Sequence, residues 1–529
     1  MTRKMLQITG VLMFLLLAVS LFAQESPSLI LNTDYYNATR YTNARKIARS
    51  SDGTLMVSWE PNGTPGNEAH YAIWDADFEA WGDPVRLADL ESGSSALVAD
   101  DNGNIYASWK QRVSSSVSRR DYWFAKWDGA TWTTPVICEE DTSNAGFGSM
   151  ALAPNGDIFV TYTNYGTSWG PRKIHVCWST DDGVSWSYKN LYENMPNLYS
   201  SVIEPCLTHD AMGNMLCLWY DETDTTNKTP DDNYPLKELM VSKYENGDWT
   251  DPMFISPMVA DGDTLSSQYP TAATTSNGVV HIVYTSDLNH LWHSTWDGVT
   301  FSAPVQIDDS MDDMEIGRSG LSVDDNDNLY VVWQEETYSG DLGSIDNAFY
   351  SISKDGGMTW SMPVQMSNCT EEDGSGHSTE YPSLVKRIRG PIDGVFEGGA
   401  EVLWTQFNAA SENGFDMWYY RIPLATTGVE QSNPNVIREY TLHQNYPNPF
   451  NPDTNIRFEI ADAGDVELTI FNLIGQEVKT LVNEHFAPGS YTRQWDGTDG
   501  LNNIMPSGVY LYQLKTATFT QTRRMVFLR

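Results

Sequence analysis

One passage recurs seven times along the chain: an apolar strand, an Asn-Gly-type turn, and a second strand closing on an aromatic residue. The copies are DGTLMVSW, NGNIYASW, NGDIFVTY, GNMLCLWY, NGVVHIVY, DNLYVVW and GGAEVLW. They close on Trp59, Trp109, Tyr162, Trp219, Tyr284, Trp333 and Trp404, at intervals of 50, 53, 57, 65, 49 and 71 residues. Such a period belongs to four-stranded units and not to helical repeats. The repeat therefore predicts an all-β chain whose residues 24–424 form a seven-bladed β-propeller.

Each repeat continues through a polar loop into a third and a fourth strand, as in YWFAKWDGATWTTPVIC. The seventh shows only three strands, ending at DMWYYRIPL. Its fourth is expected at the other end of the chain, where Pro27–Asn32 reads like the fourth strands PVRLAD, PVQIDD and PVQMSN. Closure of that kind leaves no open sheet edge. The turns between strands 1 and 2 and between strands 3 and 4 are short, except RIRGPIDGVFEGG in the seventh repeat. The connections on the opposite face are long: QRVSSSVSRRD, DETDTTNKTPDDNYPLKE, QEETYSGDLGSIDN and SNCTEEDGSGHSTEYP. Long polar loops on one rim of a rigid ring are where binding or catalysis is normally placed.

Residues 1–23 read as a secretory signal, with Arg3 and Lys4, the apolar run Val11–Leu17, and a cut before Gln24. No segment approaches the length of a membrane-spanning helix. The expectation is a secreted or outer-membrane-attached cell-surface protein. The formal charge of −38 disfavours nucleic acid and anionic lipid as partners. The run DDNDN at Asp324–Asn328 has a calcium-like look, but it occupies a hairpin turn and lacks the further carboxylates of a loop site. No metal cluster or cofactor is expected, calcium being the one ion suggested. The five cysteines make no disulfide framework. Cys206 and Cys217 stand at equal distances from Ala211–Met212, so they are either a pair across one hairpin or two buried thiols.

After Leu424 comes a linker, 425–438, and then alternating apolar segments that predict a small Ig-like β-sandwich over 439–529. The run NYPNPFNP, the later GQEV, WDG and SGVY, and the basic tail TRRMVFLR closely resemble the sorting domain of type IX secretion cargo. That resemblance implies passage to the periplasm and export through the outer membrane, with the type IX machinery as a partner. A related reading is an Ig-like module similar to those of flagellar hook-cap proteins.

Two of the turns between third and fourth strands, STDDGVSW and SKDGGMTW, fit S-x-D-x-G-x-x-W. They resemble the Asp box (BNR repeat) of sialidase-like propellers. The residues concerned are Ser179, Asp181, Gly183 and Trp186, and Ser353, Asp355, Gly357 and Trp360. Their chemistry is structural: the carboxylates accept turn N–H groups and the glycines supply unusual backbone angles.

A sialidase-like site requires three arginines for a carboxylate, a Tyr nucleophile activated by Glu, and an acidic proton donor. In ARKIARSSDGTLMVSW, Arg45 resembles the arginine of that family's first strand, but the Ile-Pro that should follow is absent. The real YRIP at Tyr420–Pro423 falls in the third strand of the last blade, the wrong place. Beside Arg45, residues near the starts of innermost strands are Glu204, Tyr269, Arg318, Glu380 and Tyr381. Gathered at a channel mouth, these would bind an acidic or hydroxyl-rich ligand through charge-assisted hydrogen bonds. His377, in the last long loop, is a conceivable base for a lyase. The composite expectation is a propeller that binds glycan or protein through its long-loop face. The alternative is a glycan-processing enzyme, either a sialidase-like hydrolase or a polysaccharide lyase.

Overall fold

The computed structural model describes residues 27–425 and 441–527 apart from loop segments, among them 34–37, 40–42, 61–67, 166–171, 194–202, 222–236, 256–266, 309–314, 339–343, 370–377, 443–449 and 451–453. The proposed signal at 1–23, the linker beyond Ala425 and His377 lie outside the described residues. The chain divides into two units, Met1–Ala425 and Thr426–Arg529. No helix occurs among the described residues, and none is long and apolar enough to cross a membrane.

The first unit is a seven-bladed propeller, each blade a meander of antiparallel strands. The seven repeated passages are its first-to-second-strand hairpins. Their closing aromatics are all at most 3% exposed, which places the repeat's large side chains between neighbouring blades. Neighbouring innermost strands lie side by side around a central channel. The ring closes as expected: Ser28–Thr33 pairs with Phe415–Ile422 and becomes the outer strand of the last blade.

Two long connections differ from their expected form. QRVSSSVSRRD continues the strands Ile105–Ser114 and Val117–Trp127, and QEETYSGDLGSIDN continues Leu329–Tyr338 and Ser344–Ser353. Arginine, threonine and tyrosine there sustain the ladder instead of ending it. The cysteine pair is also corrected. The turn Asp210–Asn214 has five residues, so Cys206 faces Leu218 and Cys217 faces Leu207. A one-residue offset turns the two thiols to opposite faces of the blade. Cys206 joins one inter-blade core and Cys217 the other, and all five cysteines are free and buried.

The hairpin turns are locked by their own side chains. The Asp324 carboxylate accepts from the backbone N–H groups of Asn326 and Asn328 (both 2.9 Å), from Asn328 Nδ2 and from Tyr330 Oη. These donors meet both oxygens of Asp324. The two S-x-D-x-G-x-x-W turns repeat one another. Ser185 N and Thr359 N donate to Asp181 (2.8 Å) and Asp355 (2.9 Å), while Gly183 N and Gly357 N donate to the preceding serines at 2.8 Å. Gly357 has φ +83° and packs on the ring of His293, where any Cβ would overlap the imidazole.

His293 stacks on His281 with ring centres 5.2 Å apart, and the two share a hydrogen bond of 3.0 Å. Burial lowers His281 to about 4 although Asp327 opposes it; burial and then the neighbouring His281 lower His293 to about 3, against Gly357 N and Asp355. Folded pKa values below the unfolded value mean that the unfolded chain takes up protons first. The pair therefore supports the fold fully above about pH 6.5, and that support is lost as pH falls toward 4. We expect thermal unfolding to shift down by a few kcal/mol equivalent across that window. A His281→Gln/His293→Gln variant should show a flatter profile, and an unchanged slope would refute the assignment.

The second unit is a two-sheet sandwich. One sheet holds Thr441–Leu442, Thr454–Ile460 and Gly489–Trp495, and the other holds Gly464–Asn472, Glu477–Phe486, Gly508–Lys515 and Thr520–Phe527. Phe450 of NYPNPFNP donates its N–H to Val526 O at 3.0 Å, stacks on Phe527 at 5.0 Å and lies tilted against Trp495 at 5.4 Å. Phe450, Trp495 of the WDG segment and Phe527 of the basic tail thus meet in one aromatic cluster.

Candidate ligand site at the channel mouth

Six innermost strands carry the same irregularity. Their ladders slip between Gly93 and Ala96, Ala145 and Gly148, Ile203 and Cys206, Gln268 and Thr271, Ile316 and Ser319, and Glu380 and Ser383. In three of these, Pro205, Pro270 and Pro382 remove a backbone donor, so regular pairing fails there. The residues before these prolines, Glu204, Tyr269 and Tyr381, take φ values of +61°, +52° and +47°. Glutamate and tyrosine rarely adopt such angles, which cost on the order of 1–3 kcal/mol each. Arg318 lies in the corresponding bulge of the sixth blade. Four consecutive blades thereby aim Glu204, Tyr269, Arg318 and Tyr381 at the channel mouth on the long-loop face.

These four side chains form one cluster. Arg318 Nε donates to Glu204 Oε1, and its guanidinium carbon stands 4.6 Å from the Tyr269 ring centre and 5.3 Å from that of Tyr381. Such cation–π geometry holds the arginine flat between two phenols. Burial alone would lower the Arg318 pKa, but Glu204 and then the two tyrosines outweigh it and raise it. Glu204 is 2% exposed, and its Oε2 has no hydrogen-bond partner among the described residues. Tyr269 also rests edge-on against Tyr220 at 5.3 Å, and Tyr381 N donates to Gln334 Oε1 at 3.1 Å.

The other two candidates take different places. Arg45 is 2% exposed and does not face the mouth: it crosses the channel one layer deeper. Its Nη1 donates to Leu384 O at 3.3 Å, and its Nη2 donates to Thr271 Oγ1 at 3.0 Å and Leu321 O at 2.8 Å. Burial lowers its pKa to about 10. The expectation that Arg45 grips a ligand carboxylate is thus replaced by a tie between the first blade and the fifth, sixth and seventh. Glu380 is 5% exposed, with its carbonyl accepting from Thr39 Oγ1 at 3.2 Å.

Thr39, Asn43, Arg45 and Lys46, between the closing strand and the first blade, lie buried in the ring and bond to its innermost strands. Asn43 Nδ2 donates to Glu204 O at 3.1 Å and Pro270 O at 3.0 Å, so it caps carbonyls that the bulges release from their ladders. Thr39 and Asn43 escaped sequence reasoning, since the segment carries no repeat signal. The recurring Glu-Pro and Tyr-Pro steps would have marked the bulges. On the opposite face a separate cavity of about 930 Å³ opens among the first-to-second-strand turns. Among the described residues no group of three or more His, Cys, Asp or Glu is placed to hold a metal ion.

Residues 447–519 match the family described as the FlgD Ig-like domain. No curated protein matches the chain. Among solved structures, the chain is similar to an ulvan lyase, a polysaccharide lyase, at 13% identity over 75% of this chain and 96% of that one, with a TM-score of 0.48. It is similar to an α-L-arabinofuranosidase of Fusarium graminearum at 14% identity over 62% of this chain and 97% of that one, with a TM-score of 0.44. It is also similar to PorZ, a surface component of the type IX secretion system of Porphyromonas gingivalis, at 12% identity over 92% of this chain and 60% of that one, with a TM-score of 0.40. The β-propeller is read from the seven sheets of the first unit itself, and residues 447–519 of the second are similar to the FlgD Ig-like domain.

Proposed function

We propose that this chain is an exported propeller that binds a neutral, hydroxyl-rich glycan at the bulge-built mouth of its long-loop face. The observation that carries this reading is Arg318, held between the rings of Tyr269 and Tyr381 and neutralised by Glu204. Tyrosine rings offer apolar faces with a polar edge, which suit sugar rings lying against them. The paired charges provide directional hydrogen bonding without net attraction for an anion. With Arg45 committed to carbonyls of the ring, no arginine triad for a ligand carboxylate is assembled from the candidate residues.

The test is a glycan array of neutral and uronate-containing oligosaccharides probed with the full chain. Neutral glycans should bind, and Tyr269→Ala and Tyr381→Ala should each weaken binding about tenfold through lost ring contact. Unaltered binding in both variants, or preference for uronates, would overturn the assignment. A second reading has a specific observation in its favour. Two tyrosines bracket an arginine paired with Glu204, and Glu380 adjoins Tyr381, which are residue types of a Tyr-based glycosidase. Turnover of fluorogenic glycosides that Arg318→Ala abolishes would replace the binding-only reading with an enzymatic one.

Export by the type IX route is supported by the NYPNPFNP, WDG and tail residues and by their meeting at Phe450, Trp495 and Phe527. The S-x-D-x-G-x-x-W turns support a sialidase-like ancestry of the propeller in the same way. Deletion of 439–529 should leave the protein in the periplasm; unchanged export would refute the sorting role.

A further inference from the structure

The cavity of about 930 Å³ on the short-turn face is lined by the turns of five blades, including Asp100–Asn102, Pro154–Gly156 and Asp210–Gly213, and by Lys386 from the seventh. Lys386 follows the innermost strand Thr379–Leu384 and reaches across the channel, donating from Nζ to Leu207 O at 2.6 Å and to Ala272 O at 3.4 Å. No carboxylate among the described residues pairs with this amine. Asp325 on the rim is exposed to solvent, and the other rim aspartates are engaged. Asp100, Asp210 and Asp324 lock their own turns, Asp101 pairs with Arg387 and Arg389, and Asp327 accepts from Ser276.

We infer that Lys386 is a nucleophilic amine at the floor of a second ligand site, one that captures uncharged aldehydes or ketones such as an open-chain sugar end. The geometry gives the amine two carbonyl oxygens and no carboxylate, so no paired negative charge holds it protonated. Burial, then the charge of Arg45, push the group down to about 7, with Cys206 opposing. An ordinary lysine at pH 7 is unprotonated in roughly one molecule in two thousand. The acidic rim disfavours anions, which selects for uncharged carbonyl compounds. In the reaction the Nζ lone pair bonds to the carbonyl carbon and the C=O π pair moves to oxygen. The carbinolamine then loses water, both amine protons leaving with that oxygen, to give an imine that water hydrolyses back.

The test treats the full chain with glyceraldehyde and cyanoborohydride at pH 7, which reduces any imine to a stable secondary amine, and maps the added mass by peptide analysis. Lys386 should be modified at least about tenfold faster than the exposed Lys354 and Lys515, with a rate that levels off above about pH 7. Lys386→Gln should remove that fast label, with an unchanged circular-dichroism spectrum showing the variant folded. Should that variant unfold, the wild-type peptide map and its pH profile decide alone. Labelling of Lys386 no faster than of Lys354, or rising only near pH 10, would overturn the proposal.

Discussion

Replacing Glu401 by alanine is expected to destabilise the propeller by about 3–5 kcal/mol, the usual cost of stranding one partner of a buried ion pair. Glu401 lies in the second strand of the last blade and meets Arg49 of the first blade in a two-pronged pair, with contacts of 2.6 and 2.9 Å. The side chains are 6% and 2% exposed. Tyr419 Oη donates to the same carboxylate at 2.8 Å, and burial together with that negative charge keeps its phenol protonated well above the ordinary range. Arg49 also donates to Gly53 O at 2.6 Å and rests 4.0 Å from the centre of the Phe396 ring. Alanine at 401 would leave a buried guanidinium and a phenol without their acceptor, at the seam where the ring must join its first blade to its last. Denaturant unfolding should show a lower midpoint for Glu401→Ala, whereas the paired exchange Arg49→Met/Glu401→Leu should recover most of the loss. A single variant as stable as the wild type would mean that the closing strand alone holds the seam.

That seam was half legible in the sequence. Pro27–Asn32 could be matched to the fourth strands because a β-strand's apolar pattern and its leading proline are local properties. The Arg49–Glu401 pair joins residues 352 positions apart, and no local pattern reports such a contact. The same division holds at the candidate site. Glu204, Tyr269, Arg318 and Tyr381 were singled out by their position in the repeat, and the structure brings these four together. Arg45 was singled out by its resemblance to the first-strand arginine of sialidase-like propellers, yet it lies just ahead of the short strand Ile47–Arg49 and turns into the ring. Register decides such matters: a bulge in one strand, or one extra residue in the turn between Cys206 and Cys217, changes which face a side chain takes. The sequence around Thr39 and Asn43 carries no periodicity at all, so the bonds of these two residues to the innermost strands could be read only from coordinates.

Arg45→Ala is expected to cost about 3 kcal/mol or more, because it removes a buried side chain that donates to two carbonyls and a threonine hydroxyl of three other blades. The reason the arginine fits is Gly320. A Cβ built on Gly320 would come within 2.6 Å of Arg45 Nη1 and 3.3 Å of both Leu384 and Val332. Gly320→Ala should therefore be destabilising by about 1–3 kcal/mol, as overpacking generally is. In the Arg45→Ala background, however, the same methyl group has space vacated by the guanidinium. The two substitutions should then couple by at least about 1 kcal/mol in a double-mutant cycle, with Gly320→Ala nearly neutral once Arg45 is gone. Additive losses would show that the alanine clashes with Leu384 and Val332 instead of the arginine. Glycan binding separates this tie from the mouth above it: at temperatures where Arg45→Ala remains folded its affinity should stay within about twofold of wild type, while Arg318→Ala should lose it. Loss of binding in a folded Arg45→Ala protein would return that arginine to the ligand site.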